Sequence, residues 1–256
     1  ILNMWPADRV GQSHQVVTKH GFWYEGEKED AEKKSSWASW SEPKSGKKLV
    51  KSEESLALNL TVVSKNPEGP RVFLIENLLS EAECDHIIEH GEQVIAKSFV
   101  GQDGGFESRT RTSLNGWLTR TRTEVLDTVH ARFADVLGID NDLLRSGKNA
   151  EELQVVRYQQ SQEYQPHHDF SDQGRAEQRF LTLLLYISPP EAGGYTSFPK
   201  ANNGRGLRVK PPKGSGVLFY SMRPDGNGDD LSLHAGEPVR KGVKWICNLW
   251  VWDPKR

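Results

Sequence analysis

After residue 150 the chain stops reading as helix. Four β-rich runs, Leu153–Tyr158, Leu181–Ile187, Gly216–Tyr220 and Trp245–Trp252, are separated by Pro189-Pro190, Gly193-Gly194, Asn202-Asn203-Gly204, Pro211-Pro212 and Pro224-Asp225-Gly226. Such clusters form turns, and strands this short bury their apolar residues by pairing with one another in stacked sheets. Upstream the period changes. Ser80 and Glu83 have capping-box spacing, and Cys84, Ile87, Ile88, Gly91 and Ile95 follow at helical spacing. A second helix is expected from near Thr121, with Glu124 as box partner, Val125, Leu126, Val129, Phe133, Val136 and Leu137 on its apolar face, and Gly138 as its stop. Before these, Leu56–Val63 alternates as a strand, Asn66–Pro70 is a turn and Val72–Ile75 is a second strand. Two helices followed by many strands predict an α+β, mainly β fold: helices packed on a β-sandwich or jelly roll.

The first 55 residues read differently from residues 56–256. Half of residues 25–54 are charged, with Lys and Glu mixed, which describes a solvated, partly flexible segment. Yet Trp5, Phe22, Trp23, Tyr24, Trp37 and Trp40 also lie here. The expectation is an N-terminal arm that packs on the main domain or on a partner. The formal charge is −2, so there is no bulk basic field for a nucleic acid. The longest apolar run, Leu181–Ile187, is far short of the roughly 20 residues of a membrane span. Ile1 in place of Met leaves room for an upstream signal or anchor. Two cysteines, Cys84 and Cys247, exclude a disulfide-dense scaffold; both sit in apolar patterns, and buried free thiols are expected rather than one bridge. The sequon Asn59-Leu60-Thr61 fits a secretory route.

In an extended segment residues i and i+2 share a face, so His167 and Asp169 can point together while His168 points away. His234 is the one histidine beyond them, and would complete a 2-His-1-carboxylate set. Alone, a His-x-Asp triplet is a weak signal. Lys244 opens the apolar strand Trp245–Trp252, and Gly236, Pro238 and Gly242 allow a hairpin-like return toward the histidine. Two readings fit it. A buried ammonium would await an anionic partner such as a dicarboxylate. A strand-edge gatekeeper would keep its head in water.

These segments resemble the Fe(II)/2-oxoglutarate-dependent dioxygenases of the prolyl 4-hydroxylase family. The resemblance runs through Tyr158, Tyr164, Pro166, His167, Asp169 and Phe170, then Arg179 to Thr182, Gly193-Gly194 and Thr196, then Leu233 to Pro238 and Lys244-Trp245. Pro70–Leu74, Leu79–Cys84 and Arg111-Thr112-Ser113 resemble its opening strand, helix and loop. The resemblance spans about residues 56–252 and implies a double-stranded β-helix, a jelly-roll core flanked by N-terminal helices. It implies that His167, Asp169 and His234 hold iron and that Lys244 pairs with the distal carboxylate of 2-oxoglutarate beside the hydroxyls of Tyr158 and Thr196. Tyr164, Arg179 and Trp252 would lie toward the substrate. The implied reaction is hydroxylation of peptidyl proline, consuming O2, with ascorbate as reductant and release of succinate and CO2. The implied partner is a proline-rich peptide or protein, and the implied place is the endoplasmic reticulum or secretory pathway. A lysyl side chain or small molecule as substrate, or a non-catalytic binding module, are the alternatives. Intact His167, Asp169, His234 and Lys244 oppose the last.

The chain departs from the family pattern at three places: Ser161 replaces a common Gly, Tyr195 a common Glu, and Trp252 a His beside the peptide groove. Other polar residues have plainer readings. His86 and His90 lie off the apolar helix face and are expected in solvent. Asp229-Asp230 is expected in a polar loop. Arg109, Arg111, Arg120 and Arg122, next to Gly101–Gly105, form either a substrate-gripping loop or a solvated one.

Overall fold

The computed structural model describes residues 3–26, 47–97, 99–100, 106–107, 110–145, 148–170 and 178–253. Its N-terminal strand β1 (Ser13–Tyr24) pairs antiparallel with the long β2 (Leu49–Ser64), which pairs in turn with β3 (Val72–Ile75). The boundary expected at residue 55 therefore falls inside β2, and residues 13–24 are an edge strand of the main sheet. Trp5 is fastened as well: its amide donates to the Tyr220 hydroxyl and its indole N–H to the Val136 carbonyl, both at 2.9 Å. The highly charged residues 27–46 lie outside the described residues, as do Gly101–Gly105 and Arg109.

Helix α1 (Glu81–Glu92) starts at the expected capping box, with Ser80 Oγ accepting from Glu83 N–H and the Glu83 carboxylate accepting from Ser80 N–H. Strand β4 (Leu114–Leu118) follows, then α2 (Glu124–Leu137). Its N-cap is Thr123, not the expected Thr121, which sits in a preceding 3-10 turn; Thr123 Oγ1 accepts from Leu126 N–H. Gly138 ends α2 at φ 64°, as its place after the apolar stripe implies. One buried ion pair ties these elements together. Arg132 donates to both Glu83 oxygens at 2.7 and 2.9 Å, and Glu83 also accepts from the Phe22 amide of β1.

The remaining strands of the two larger sheets are β5 (Leu153–Tyr158), β6 (Tyr164–His167), β7 (Arg179–Ser188), β8 (Thr196–Phe198), β9 (Leu207–Val209), β10 (Ser215–Tyr220), β11 (His234–Gly236) and β12 (Lys244–Trp252). The large sheet runs β1-β2-β3-β10-β7-β12-β5-β4 and ends on the short strand Ala96–Lys97; the small sheet runs β9-β8-β11-β6. All pairings are antiparallel.

Strand alternation sorts β7 into two faces. Leu181, Leu183 and Leu185 join Ile87, Val129 and Phe133 of the helices in one core. Leu184 and Tyr186 face the small sheet, where they meet Tyr158, Val217, Phe219, Ile246 and Phe198. This second, smaller core lies between the sheets of a jelly roll. Cys84 and Cys247 are both free and fully buried. Among the described residues no helix is long and apolar enough to cross a membrane.

Candidate metal centre and cosubstrate pocket

The two histidines meet because β6 and β11 are neighbours. His167 is the cross-strand partner of His234, and the ring centroids are 4.3 Å apart. Each ring is oriented through its Nδ1, which donates to a carbonyl two residues back: Gln165 at 2.8 Å and Ser232 at 3.0 Å. That fixes the tautomer and leaves both Nε2 lone pairs free. Each Nε2 lies 3.7 Å from an Asp169 oxygen, and the three ligand atoms are within 4.8 Å of one another.

Asp169 is tied to the large sheet instead. Its Oδ2 accepts from Thr182 Oγ1 at 2.5 Å and from the Trp250 indole at 3.0 Å, and Thr182 and Trp250 are themselves a cross-strand pair. Burial, reinforced by His234, pushes His167 down to about 3. Burial pulls the Asp169 carboxyl upward, but His234, His167, Arg179 and the Thr182 hydroxyl outweigh it and hold it well below the usual carboxylate range. Neutral imidazoles and an ionised carboxylate are the states a divalent metal requires. Two imidazoles and one carboxylate suit Fe(II) with coordination positions left for other ligands.

Lys244 is 1% exposed, which removes the gatekeeper reading. Its Nζ lies 5.5 Å from the Tyr158 ring centroid and 5.3 Å from that of Tyr186. Among the described residues no carboxylate lies within ion-pairing distance. Burial therefore pushes the ammonium down to about 7, against the opposing pull of Glu237. A buried cation without a counter-charge is costly, and an incoming carboxylate removes the cost. The backbone makes room for it: Gly194 has φ 65°, and a Cβ there would lie 2.6 Å from Pro190 and 3.3 Å from Lys244 Cδ. These residues fit a 2-oxoglutarate carboxylate.

Thr196 is buried, and its hydroxyl lies 2.7 Å from that of Tyr186, a partner the sequence reading missed and the residue whose ring flanks Lys244. Tyr158 is also buried here; burial raises its phenol, and Arg111 and Ser113 oppose that rise. Arg111 thus belongs to the site rather than to a solvated loop. It donates to Gln154 at 2.8 Å and lies 5.0 Å from the Tyr164 ring, which stacks on His167 at 3.6 Å. Arg179 is engaged rather than free: it pairs with both Glu151 oxygens at 2.6 and 2.9 Å and lies 3.7 Å over the Trp250 ring. Trp252 is half-buried, with its ring 5.8 Å from the same guanidinium.

The plainer residues divide. His86 and His90 are half-buried rather than fully in solvent; His86 bonds Thr123, and His90 accepts from Arg122. Burial lowers His86 to about 4. Asp229 is buried, capping a turn and accepting from Asn66, while Asp230 is exposed. Thr182, Tyr186 and Trp250 were legible in principle. They face the same side of their strands as Leu184 and Asn248, and period two would have carried the reading to them.

A jelly roll carrying two histidines and a carboxylate beside a buried, uncompensated lysine defines a non-haem Fe(II)/2-oxoglutarate oxygenase. Consistent with this, the 2OG-Fe(II) oxygenase superfamily model matches residues 153–252. Probable prolyl 4-hydroxylase 3 of Arabidopsis thaliana is 38% identical over 204 residues, covering 71% of this chain and 69% of the relative. Prolyl 4-hydroxylase 5 of the same plant is 36% identical over 203 residues, covering 71% and 68%. The viral collagen prolyl hydroxylase of Paramecium Bursaria Chlorella virus-1, solved as a 2OG complex, superposes with a TM-score of 0.57 at 29% identity, covering 71% of this chain and 95% of that one. A Trichoplax adhaerens prolyl hydroxylase, solved with a hypoxia inducible factor peptide, shares the fold at a TM-score of 0.56 and 18% identity, covering 74% and 86%. The chain belongs to the prolyl 4-hydroxylase family of Fe(II)/2-oxoglutarate dioxygenases.

Proposed function

We propose that the chain hydroxylates proline in an extended, proline-rich peptide, using Fe(II), 2-oxoglutarate and O2, with ascorbate as reductant. When bound, iron and 2-oxoglutarate with O2 supply an oxidant able to attack an unactivated C–H bond, releasing succinate and CO2. In this reading His167, Asp169 and His234 hold the iron and Lys244 orients the cosubstrate by its distal carboxylate. Thr182 and Trp250 fix the angle of Asp169.

The observation that carries the substrate reading is the rim of the metal site. Tyr164 lies flat on His167, and Arg179 lies between Trp250 and Trp252. Side chains of His167 and His234 keep 20% and 10% exposure, so the site is open on one side. A polyproline II peptide is pre-organised, offers flat rings to aromatic faces and leaves its carbonyls free for donors. Trp252 offers a larger stacking face than the histidine it replaces, which favours successive prolines. The chemistry would suit a secretory compartment, and Asn59 of the sequon is exposed on β2.

The test is a turnover screen with proline-rich, collagen-like and lysine-containing peptides, read by mass spectrometry for added oxygen. Hydroxyproline in the proline-rich peptides is expected. Trp252→His should shift preference among them while leaving 2-oxoglutarate decarboxylation without peptide nearly unchanged. Succinate production stimulated only by a lysyl peptide or a small molecule would replace this reading.

A further inference from the structure

Trp117 is 50% exposed, and among the described residues the other exposed large apolar side chains, Val10, Val17 and Val50, all belong to the N-terminal arm and β2. Strand alternation decides which way Trp117 points. Leu118, Val155, Cys247 and Leu249 join the core against the helices, so Trp117, Gln154, Asn248 and Trp250 take the opposite face of the large sheet, the face that carries the iron site. The register then fixes their order. Trp117 is the cross-strand partner of Gln154, and Gln154 of Asn248; Trp250 stands two residues further along β12, where its indole bonds Asp169. Between the two tryptophans runs a polar floor: Gln154 Oε1 accepts from Arg111 at 2.8 Å and from Asn248 at 3.3 Å. The strand that carries Trp117 is held closely from behind. A Cβ on Gly116 would lie 2.5 Å from the Val94 carbonyl oxygen, so β4 is seated directly on that backbone. An indole on a fixed strand, half in water and on the iron side of the sheet, is an unfilled stacking face.

We propose that Trp117 is a specificity-determining residue that stacks on a second proline of the substrate, about four residues to one side of the proline hydroxylated at the iron, a role that rests on a proline-rich peptide being the substrate. The spacing follows from the sheet. With strands about 4.8 Å apart and residues about 3.4 Å apart along them, two strands across and two residues along put the Trp117 and Trp250 backbones roughly 12 Å from each other. A polyproline II chain advances about 3.1 Å per residue, so roughly four residues bridge that distance. Proline suits the far end as it suits the near one. Its ring is flat, and the C–H groups beside its amide nitrogen are polarised toward the negative face of an indole. A flexible chain would lose most of this second contact to ordering entropy, whereas a pre-organised one keeps it.

The experiment compares two all-proline peptides, one of three residues and one of about nine, the longer reaching roughly 12 Å to each side of a central target. Hydroxylation is followed by mass spectrometry, which also locates the modified residue. The wild type should show a lower KM for the longer peptide. Trp117→Ala should raise that KM roughly fivefold, the size of one aromatic contact, with kcat for the same peptide changed less than twofold, so that the advantage of length largely disappears. Trp117→Phe should keep most of the advantage. Replacing the prolines of the longer peptide by alanine one at a time should raise the wild-type KM at a position about four residues from the target, and the same replacement should have little further effect in Trp117→Ala. An unchanged KM for the longer peptide in Trp117→Ala would overturn the proposal, and so would an equal rise for both lengths. The two levels separate cleanly. A wild type that hydroxylates no proline peptide ends the proline reading and this role with it, whereas proline hydroxylation whose length dependence survives Trp117→Ala ends only the role of Trp117.

Discussion

Lys244 sets function against stability, and the size of the conflict follows from its surroundings. Burial lowers its pKa from 10.5 to about 7. Each factor of ten in proton affinity is about 1.4 kcal/mol, so a charged Lys244 costs the cosubstrate-free fold on the order of 5 kcal/mol. The sign is set by proton counting. Between pH 7 and 10.5 the unfolded chain keeps this proton and the folded chain releases it, so raising the pH through this window stabilises the fold. Below about pH 7 both states are protonated and the full penalty remains. Lys244→Met keeps the stem's volume and removes the charge. Replacing buried charge by apolar side chains typically gains about 1–4 kcal/mol, so urea denaturation at pH 7 without cosubstrate should show a gain in that range. The gain should shrink as the pH rises toward 10. The rise in melting temperature that 2-oxoglutarate gives the wild type should vanish. A variant at least 1 kcal/mol less stable than wild type at pH 7, still stabilised by 2-oxoglutarate, would refute the reasoning.

Three further perturbations probe separate parts of the molecule. Trp250→Phe removes one of the two side-chain bonds that orient Asp169; iron affinity should fall roughly 10–100-fold, as for other outer partners of metal ligands, and a metal titration checks it. Ser161 sits at φ 67°, in the left-handed region that costs a side chain roughly 1–2 kcal/mol, so Ser161→Gly should raise the melting temperature by a few degrees in a thermal scan. Arg132→Met strands the fully buried Glu83 carboxylate; it should cost about 3–5 kcal/mol by denaturant titration, and a loss below 1 kcal/mol would mean the network is not what holds β1 to the helices.

Local signals carried the sequence reading wherever they were complete. The capping box at Ser80 and Glu83 needs only four residues, and α1 begins where it says. The start of α2 slipped because Thr121 and Thr123 both offer a capping hydroxyl, and only the turn before the helix decides between them. Strands β5, β7, β10 and β12 are long apolar runs buried on both faces, and they were read within two residues of their ends. Strand β1 was read as part of an arm, since Val16, Thr18, Phe22 and Tyr24 are buried among charged and polar neighbours. What buries them is β2 and α2, partners that composition does not reveal. The left-handed turn at Ser161 left a trace, as the family's usual residue there is the one that tolerates such a φ.

The small sheet explains why the ligands were legible and their surroundings were not. Strands β6, β8, β9 and β11 are three or four residues long, too short to show a period, and exist because each is paired on at least one side. His167 and His234 belong to this sheet, whereas Asp169 is tied to β7 and β12 of the large one. The three ligand atoms can therefore meet only when the two sheets are packed at the right separation. The core that sets this separation, Phe198 against Phe219 with Tyr186 beside them, also positions the lysine pocket, because Tyr186 reaches Thr196 and flanks Lys244. Inter-sheet packing, iron site and cosubstrate pocket are thus one construction: Phe219 and Phe198 also pack on the ring of His234, with centroids 4.7 and 5.9 Å away, so the apolar residues between the sheets seat a metal ligand directly.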